Sequence, residues 1–443
     1  LNILENKIDV KHTSILVIKS KFLLFITILG LLIYVSLTAW GVESNTHLES
    51  TSINDAINQA NKKEEVSLHL LRKEILIKHL EAYFQDALDA HLIIGAGVSI
   101  VSGDSVLFNG GFGRRNSTLN ERVNAQTVFR LGSLSKGFTG VLAGIEVHNG
   151  NLNWEDKLAE AIPQFHLKDK ENEEAITLST ILSHTTGVPY HCYTNLVEAG
   201  LSMSQIAERF DIIKSTSKPG QLYSYQNAMF ALSGEMLQIA TGDNMHELLQ
   251  NRIFNPLDMQ FASTDYDALV GGTNYAYPHK NTAQGFKPIP VNKKYYNAIP
   301  AGGINASPED MSKWMRFLLG YNESVLSKTN LQTIFTPQIE MIEARKYYQR
   351  WEGHLKSSYA YGWRIHEFKD SATEKKTTMI HHGGSVNNYR NEIALYPEEE
   401  LGICILFNSM TPLATSVIPD VHKIVRKVMQ QSLADFERNA ECL

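Results

Sequence analysis

Phe129-Arg130-Leu131-Gly132-Ser133-Leu134-Ser135-Lys136-Gly137-Phe138-Thr139-Gly140 runs straight into the apolar Val141-Leu142-Ala143-Gly144-Ile145. The run is of helix length, and its small residues allow close packing. If a helix begins near Ser133, Lys136 lies one turn on and on the same face. A free serine hydroxyl is a poor nucleophile near neutral pH and needs a base within hydrogen-bond reach. A lysine serves if burial or neighbouring cations lower its pKa. The same four-residue pattern recurs at Ser215-Thr216-Ser217-Lys218, but Pro219-Gly220 follows at once. A residue before proline is pushed out of the helical region, so the second copy reads as a turn.

Upstream of this stretch, Leu68, Leu71, Ile75, Ile77, Leu80, Phe84 and Leu88 recur at helical spacing and predict an amphipathic helix. Leu92–Val101 and Ser105–Phe112 read as two strands joined by Ser102-Gly103-Asp104. Downstream, about 150–300 is mainly helix and loop, with helices expected at 178–184, 204–213, 228–240 and 245–253. Ser307 caps a helix opened by Pro308-Glu309-Asp310. Strands return at 360–367, 377–382, 392–396 and 402–407, followed by a helix over 417–433. The expected fold is therefore α/β of the α+β type. A central antiparallel sheet is built from both chain ends, flanked by helices, with a mainly helical subdomain inserted at about 150–300.

A serine–lysine pair also needs a proton handler for the leaving group and donors for an oxyanion. Tyr225-Gln226-Asn227 is a candidate, because a tyrosine flanked by cations can become a base or shuttle. The pattern is cheap, however: Tyr193–Asn195, Tyr295–Asn297 and Tyr389–Asn391 share it. His381-His382-Gly383-Gly384-Ser385 closes an expected strand. Adjacent strand residues face opposite ways, which argues against both histidines binding one metal ion. Glycines there suit a backbone that approaches a substrate closely. The chain has no Gly-x-Ser-x-Gly elbow, no His-Glu-x-x-His and no phosphate loop.

Taken in order, these motifs resemble the class C β-lactamase-like serine hydrolases, which include penicillin-binding esterases, D,D-peptidases and D-aminopeptidases. The resemblance spans residues 78–430 and rests on long strings. They are Thr127–Lys136, Leu182-Ser183-His184-Thr185-Thr186-Gly187-Val188-Pro189, Pro219-Gly220 through Tyr225-Gln226-Asn227 to Gly234 and Gly242, Ile253–Met259 and Ala301-Gly302-Gly303-Ile304. The resemblance selects Tyr225 among the four tyrosines. It implies that Ser133 attacks an acyl carbonyl, that Lys136 and Tyr225 move its proton, and that Asn227 orients lysine and substrate. His382 becomes the electrophilic or shuttle residue, in preference to His381. The backbone N–H groups of Ser133 and Ser385, next to Gly384, become the oxyanion hole. No cofactor or metal is implied. Substrates would be D-Ala peptides, esters or β-lactams. The family's lactamases carry Lys-Thr-Gly where this chain has His382-Gly383-Gly384, so a peptidase or esterase is expected before a working class C β-lactamase. An inactive member serving as a binding module is the reading of another class.

Composition is that of an ordinary globular protein, 43% hydrophobic and 20% charged over 443 residues. A net charge of −6 and the absence of a dense basic block exclude nucleic acid as an expected partner. Cys192, Cys404 and Cys442 are too few and too scattered for a disulfide framework or zinc site. Phe22–Val42 carries no charge and, at ~1.5 Å per residue, reaches ~31 Å, about a bilayer core. Lys11, Lys19 and Lys21 precede it. The expectation is a transmembrane anchor over 22–42, with 1–21 cytoplasmic, 43–67 a polar linker, the hydrolase domain over 68–435 and a tail at 436–443. The domain would then be extracytoplasmic, in a bacterial periplasm. A signal peptide cleaved near Gly41, giving a secreted protein, is the alternative.

Overall fold

The computed structural model describes residues 46–342, 346–370, 374–432 and 435. The chain divides into two compact units, Leu1–His69 and Leu70–Leu443. The polar stretch expected as a linker over 43–67 is helical from Thr46, at the start of helix α1, Thr46–Asp89. The transmembrane expectation is corrected: no helix among the described residues is long and apolar enough to cross a membrane. The stretch that carried it, 22–42, lies outside the described residues, as do 1–21 and 436–443.

An eight-stranded antiparallel sheet organises the second unit. Its strands are β1 (Gly95–Ser102), β2 (Ser105–Gly113), β3 (Ile339–Glu340), β4 (His354–Tyr359), β5 (Arg364–Lys369), β6 (Lys376–Val386), β7 (Tyr389–Tyr396) and β8 (Leu401–Phe407). The order across the sheet is β2-β1-β8-β7-β6-β5-β4-β3. The N-terminal hairpin thus joins the C-terminal strands through β1 and β8, where Val98 faces Ile405 and Ile100 faces Ile403. The expected mixed fold with a large antiparallel sheet is what the chain adopts. The strand expected over 360–367 instead begins at Arg364. Gly362 has φ +81°, and a Cβ on it would lie 2.2 Å from the Lys136 carbonyl oxygen, so the chain turns there.

Period-2 alternation sends β8 side chains to two layers. Ile403, Ile405 and Phe407 pack with Leu76, Leu80 and Phe84 of α1. Cys404 and Leu406 face the helical side. That side carries α2 (Ser135–His148), α3 (Asn227–Thr241), α4 (Pro308–Leu318) and α5 (Lys328–Phe335). The capping of α4 follows its sequence: the Ser307 hydroxyl accepts from the Asp310 N–H at 3.1 Å, and the Asp310 carboxylate accepts from the Ser307 N–H at 2.9 Å. Helix α6, Val417–Met429, covers the other layer and contributes Val417, Val421 and Val425 to it.

Candidate active site

Ser133 sits in a single 3-10 turn, Gly132–Leu134, that feeds directly into α2. Helix α2 is buried along nearly its whole length, and Phe138 stacks on Trp314 of α4 with centroids 3.9 Å apart. Such packing fixes the first turn of the helix. The turn is also stitched to the 300–304 segment. The Ser135 hydroxyl accepts from the Ile304 N–H at 3.1 Å, and the Thr139 hydroxyl donates to the Pro300 carbonyl at 3.1 Å.

Lys136 is fully buried. Its amine lies 2.8 Å from Asn227 Oδ1, 2.8 Å from the Ala301 carbonyl oxygen and 3.4 Å from Ser133 Oγ. Among the described residues no carboxylate pairs with it. Burial, helped by the charge of Arg364, holds its pKa well below the usual lysine range. The shift favours the unprotonated amine, which carries two N–H bonds and one lone pair. Asn227 and Ala301 take the two N–H bonds, and the lone pair is left for the Ser133 hydroxyl.

Tyr225 is buried, and its hydroxyl donates to Ser133 Oγ at 2.8 Å. Burial pushes its phenol up to about 12, against smaller lowering effects from Arg364 and Ser133. This departs from the sequence expectation of a tyrosine made basic by cations: the phenol keeps its proton and acts as a donor. Asn227 begins α3 and completes the grouping, its Nδ2 donating to the Tyr295 hydroxyl at 3.0 Å. Of the other three Tyr-x-Asn copies, only Tyr295 reaches the grouping, through Asn227. Tyr193 and Tyr389 donate to the carbonyls of Arg209 and Ala276, and Asn297 donates to those of Val197 and Leu201. The second Ser-x-x-Lys copy ends in a surface pair, Lys218 with Glu171.

Strand β6 closes the other wall. Strand β5 pairs with it only from Lys376 to His381, so 382–386 has one edge without a strand partner. That edge presses on the nucleophile turn. A Cβ on Gly384 would meet the Leu131 carbonyl oxygen at 2.2 Å, and one on Gly132 would lie 2.9 Å from the Ser385 nitrogen. Gly132 itself has φ +56°. The Ser385 side chain is exposed. This places the Ser385 N–H beside the turn that carries the Ser133 N–H.

The paired histidines separate as strand alternation requires. His382 is buried, its Nε2 accepts from the Tyr359 hydroxyl at 3.0 Å, and its Nδ1 lies 2.8 Å from the Gly383 carbonyl oxygen. Its ring centroid is 6.5 Å from that of Tyr225. Burial keeps it neutral. His381 faces the other way, at 2.8 Å from the Glu392 carboxylate. A hydrogen-bonded series extends behind it, from His381 to His366 at 3.2 Å, to Ser357 at 2.8 Å and to half-buried His354 at 2.7 Å. Tyr347 donates to Glu392 at 2.8 Å, and Arg390 pairs with it. Among the described residues, no three His, Cys, Asp or Glu side chains are grouped to hold a metal ion.

Residues 80–425 match the family model described as Beta-lactamase. The chain belongs to the beta-lactamase family. Among curated relatives in the family it is similar to Protein flp of Staphylococcus aureus (strain NCTC 8325 / PS 47), at 24% identity over 329 residues, 71% of this chain and 60% of that protein. It is also similar to Unguisins hydrolase ungD' of Aspergillus campestris (strain IBT 28561), at 24% identity over 345 residues, 75% of this chain and 61% of that protein. The chain thus spans about three fifths of the length of these relatives. Among solved structures, the octameric penicillin-binding protein homologue from Pyrococcus abyssi shares the fold, with a TM-score of 0.66 at 22% identity, covering 78% of this chain and 77% of that one.

Within this beta-lactamase-family site, several neighbours had no role in the sequence reading. The Ala301 carbonyl and Tyr295 lie in the 295–304 segment, whose Ala301-Gly302-Gly303-Ile304 string was the available signal. His184 lies in another recognised string. It accepts from the Gln226 N–H at 3.2 Å and packs 4.3 Å from the Tyr225 ring, with its own Nε2 buried and unpartnered. Tyr359 and Arg364 carried no signal, because their placement depends on the pairing of β4 with β5.

Proposed function

We propose that this protein is a serine hydrolase that cleaves an amide or ester through an acyl-enzyme on Ser133. Ser133 Oγ attacks the substrate carbonyl carbon, and its proton passes to the neutral Lys136 amine. The new oxyanion accepts hydrogen bonds from the backbone N–H groups of Ser133 and Ser385. When the tetrahedral species collapses, the leaving nitrogen or oxygen takes the Tyr225 phenol proton, and Tyr225 recovers one from Lys136. Water then attacks the acyl-enzyme carbonyl, giving a proton to Lys136, and Ser133 Oγ leaves as Lys136 returns that proton to it. Asn227 holds the Lys136 amine in register. His382, through its contact with Tyr359, sets the wall behind Tyr225.

The observation that carries this reading is that Tyr225, at 2.8 Å, and Lys136, at 3.4 Å, both reach the one Ser133 hydroxyl. A hydrolase among the relatives, named for unguisins, supports turnover over a purely binding role. Peptidase- or esterase-like substrates are favoured over β-lactams because His382 stands where the family's lactamases carry lysine. A fluorophosphonate probe followed by intact-mass measurement tests the reading. One adduct is expected per chain, absent in Ser133→Ala. An adduct that survives Ser133→Ala overturns the assignment, and no adduct on the wild type points to the binding-module reading. Nitrocefin turnover at rates typical of enzymes, 1 s⁻¹ or faster, would instead make the protein a working lactamase.

A further inference from the structure

His184 follows the short helix Leu178–Leu182 and stands in the left-handed region, with φ +58°. Few side chains other than asparagine, aspartate and histidine are found there. The residue is buried, and it grips the segment that carries Tyr225. Its carbonyl oxygen accepts from the Ser224 N–H at 2.8 Å, and its Nδ1 accepts from the Gln226 N–H at 3.2 Å. One histidine thus holds the backbone on both sides of Tyr225. The Ser224 hydroxyl and the Gln226 side-chain amide both donate to the Val188 carbonyl oxygen, at 2.8 and 3.0 Å. Alternate residues of an extended chain share one side, so the Tyr225 side chain leaves on the other.

The His184 ring packs 4.3 Å from that of Tyr225, 4.9 Å from Tyr359 and 5.1 Å from Phe230, centroid to centroid. Nδ1 accepts only with its lone pair free, so the proton of the neutral ring sits on Nε2. Burial, with the Lys136 and Arg364 charges behind it, holds the pKa well below the usual histidine range and favours that neutral form. Nε2 is buried with no hydrogen-bond partner. An unsatisfied buried donor is destabilising. The Nδ1 contact and the ring packing, not satisfaction of the whole imidazole, therefore account for a histidine at this place. Their object is the phenol. Its oxygen is the far end of a long rigid side chain, so a small rotation of the 224–226 backbone is amplified at the hydroxyl. The 2.8 Å bond from Tyr225 to Ser133 Oγ tolerates little of that.

We infer that His184 is a positioning residue, which aims the Tyr225 hydroxyl at Ser133 through its carbonyl, its Nδ1 and its ring. The consequence for catalysis rests on the acyl-enzyme reading proposed above, whereas the aim of Tyr225 is a property of the protein without substrate. His184 acts through Tyr225 alone, so its loss should cost nothing further once the Tyr225 hydroxyl is gone.

Two substitutions separate the acceptor from the turn. His184→Gly keeps the left-handed backbone and loses the acceptor. His184→Asn keeps both, because asparagine tolerates that backbone and its Oδ1 stands close to the place of Nδ1. Both lose the ring, so its magnetic effect on Tyr225 is common to the pair. The chain is labelled isotopically at tyrosine Cζ and observed by NMR, with Tyr225 assigned from the signal missing in Tyr225→Phe. Ser133→Ala marks where that signal falls without the bond to Ser133. In His184→Gly the Tyr225 signal should move toward the Ser133→Ala position, and in His184→Asn it should stay nearer to wild type. Coincident signals in the two variants, or the reverse order, overturn the inference. Fluorophosphonate labelling gives the second readout. His184→Gly should slow it by the same factor as Tyr225→Phe, within about threefold, and His184→Gly/Tyr225→Phe should be no more than about twofold slower than Tyr225→Phe. Equal slowing by His184→Gly in both backgrounds would mean a general structural role and would also overturn the inference. Circular dichroism and the unfolding midpoint verify that each variant is folded. A wild type that shows the Tyr225 signals as expected but takes no label would refute the acyl-enzyme reading and leave the aim of Tyr225 standing, so the two failures are distinguishable.

Discussion

The lowered pKa of Lys136 makes a sharp demand on pH. Its pKa is held well below the ordinary lysine value of 10.5, by burial first and the Arg364 charge second. A base works only when unprotonated, so acylation should rise with pH through this lowered pKa and then level off. The rate of fluorophosphonate labelling should therefore level off well below pH 10.5. A rate that keeps climbing toward pH 10.5 would mean an ordinary lysine and would sink the assignment. Lys136→Ala removes the base altogether, and a loss of about 10²–10⁴-fold in labelling rate is expected. Tyr225→Phe tests the opposite end of the same alignment. Removing its hydroxyl leaves Ser133 Oγ without the 2.8 Å donor, and turnover of an amide should suffer more than acylation by a probe with a good leaving group. Equal losses on both would show that Tyr225 only positions the serine. The proximity of Ser133 and Lys136 was legible in the sequence because residues one helical turn apart keep a fixed spacing, and that spacing survives in one dimension. The direction of the Tyr225 shift was not legible. It depends on how many apolar groups surround the phenol, and burial outweighs the nearby cations.

The third wall of the site belongs to a strand. β6 reaches the nucleophile turn only because Gly384 lacks a side chain. An added Cβ would overlap the Leu131 carbonyl oxygen at 2.2 Å and Leu134 Cδ1 at 2.7 Å, and backbone at that distance does not yield cheaply. Gly384→Ala should push Ser385 away from Ser133 and depress labelling by about 10²-fold or more, the cost of one lost oxyanion donor. Labelling at the wild-type rate would remove Ser385 from the oxyanion hole. On the opposite face of β6 and β7, burial raises Glu392 to about 7 from an ordinary 4.5, offset in part by Arg390, Tyr347 and Arg364. The unfolded chain ionises this group near 4.5 and the folded chain near 7. The folded state thus binds the extra proton between those values, and the group's contribution to stability is full below pH 4.5 and lost as pH rises through 7. In Glu392→Gln that loss is gone. The variant's unfolding midpoint, measured against wild type, should improve steadily from pH 5 to pH 8. A difference that is flat or of opposite sign would show that Glu392 ionises normally. Little of this face was foreseen. The alternation of His381 and His382 followed from strand geometry, but their partners Glu392, His366 and Tyr359 come from three other strands. Cross-strand register is a non-local property, and β4 carried too weak an apolar alternation to stand out from a loop.

At the scale of the whole molecule, the sheet joins distant parts of the chain, and its two faces have different duties. The helical face presents the reactive groups. The other is sealed by the part of α1 from Leu70 onward and by α6, where Tyr83 donates to Asp420 at 2.8 Å and Arg72 to the Gln431 carbonyl oxygen at 2.7 Å. The closure of the sheet by both termini was readable from strands placed at either end of the sequence, with helices between them. The extra edge, β3 and β4, was not, because two-residue and six-residue strands leave no periodic signature long enough to detect. This division of labour predicts that stability and chemistry separate. Phe84 is fully buried between α1 and β2, stacked on Phe112 with centroids 4.6 Å apart. Phe84→Ala opens a cavity on the sealed face and should cost ~3–5 kcal/mol in urea denaturation. The fluorophosphonate labelling rate of the folded protein should stay within about twofold of wild type, because a sheet eight strands wide separates Phe84 from Ser133 and sites with no shared partner act independently. A labelling rate that falls while the variant remains folded would mean that the two faces are coupled through β1 and β8, and the outer helices would then belong to the active-site scaffold.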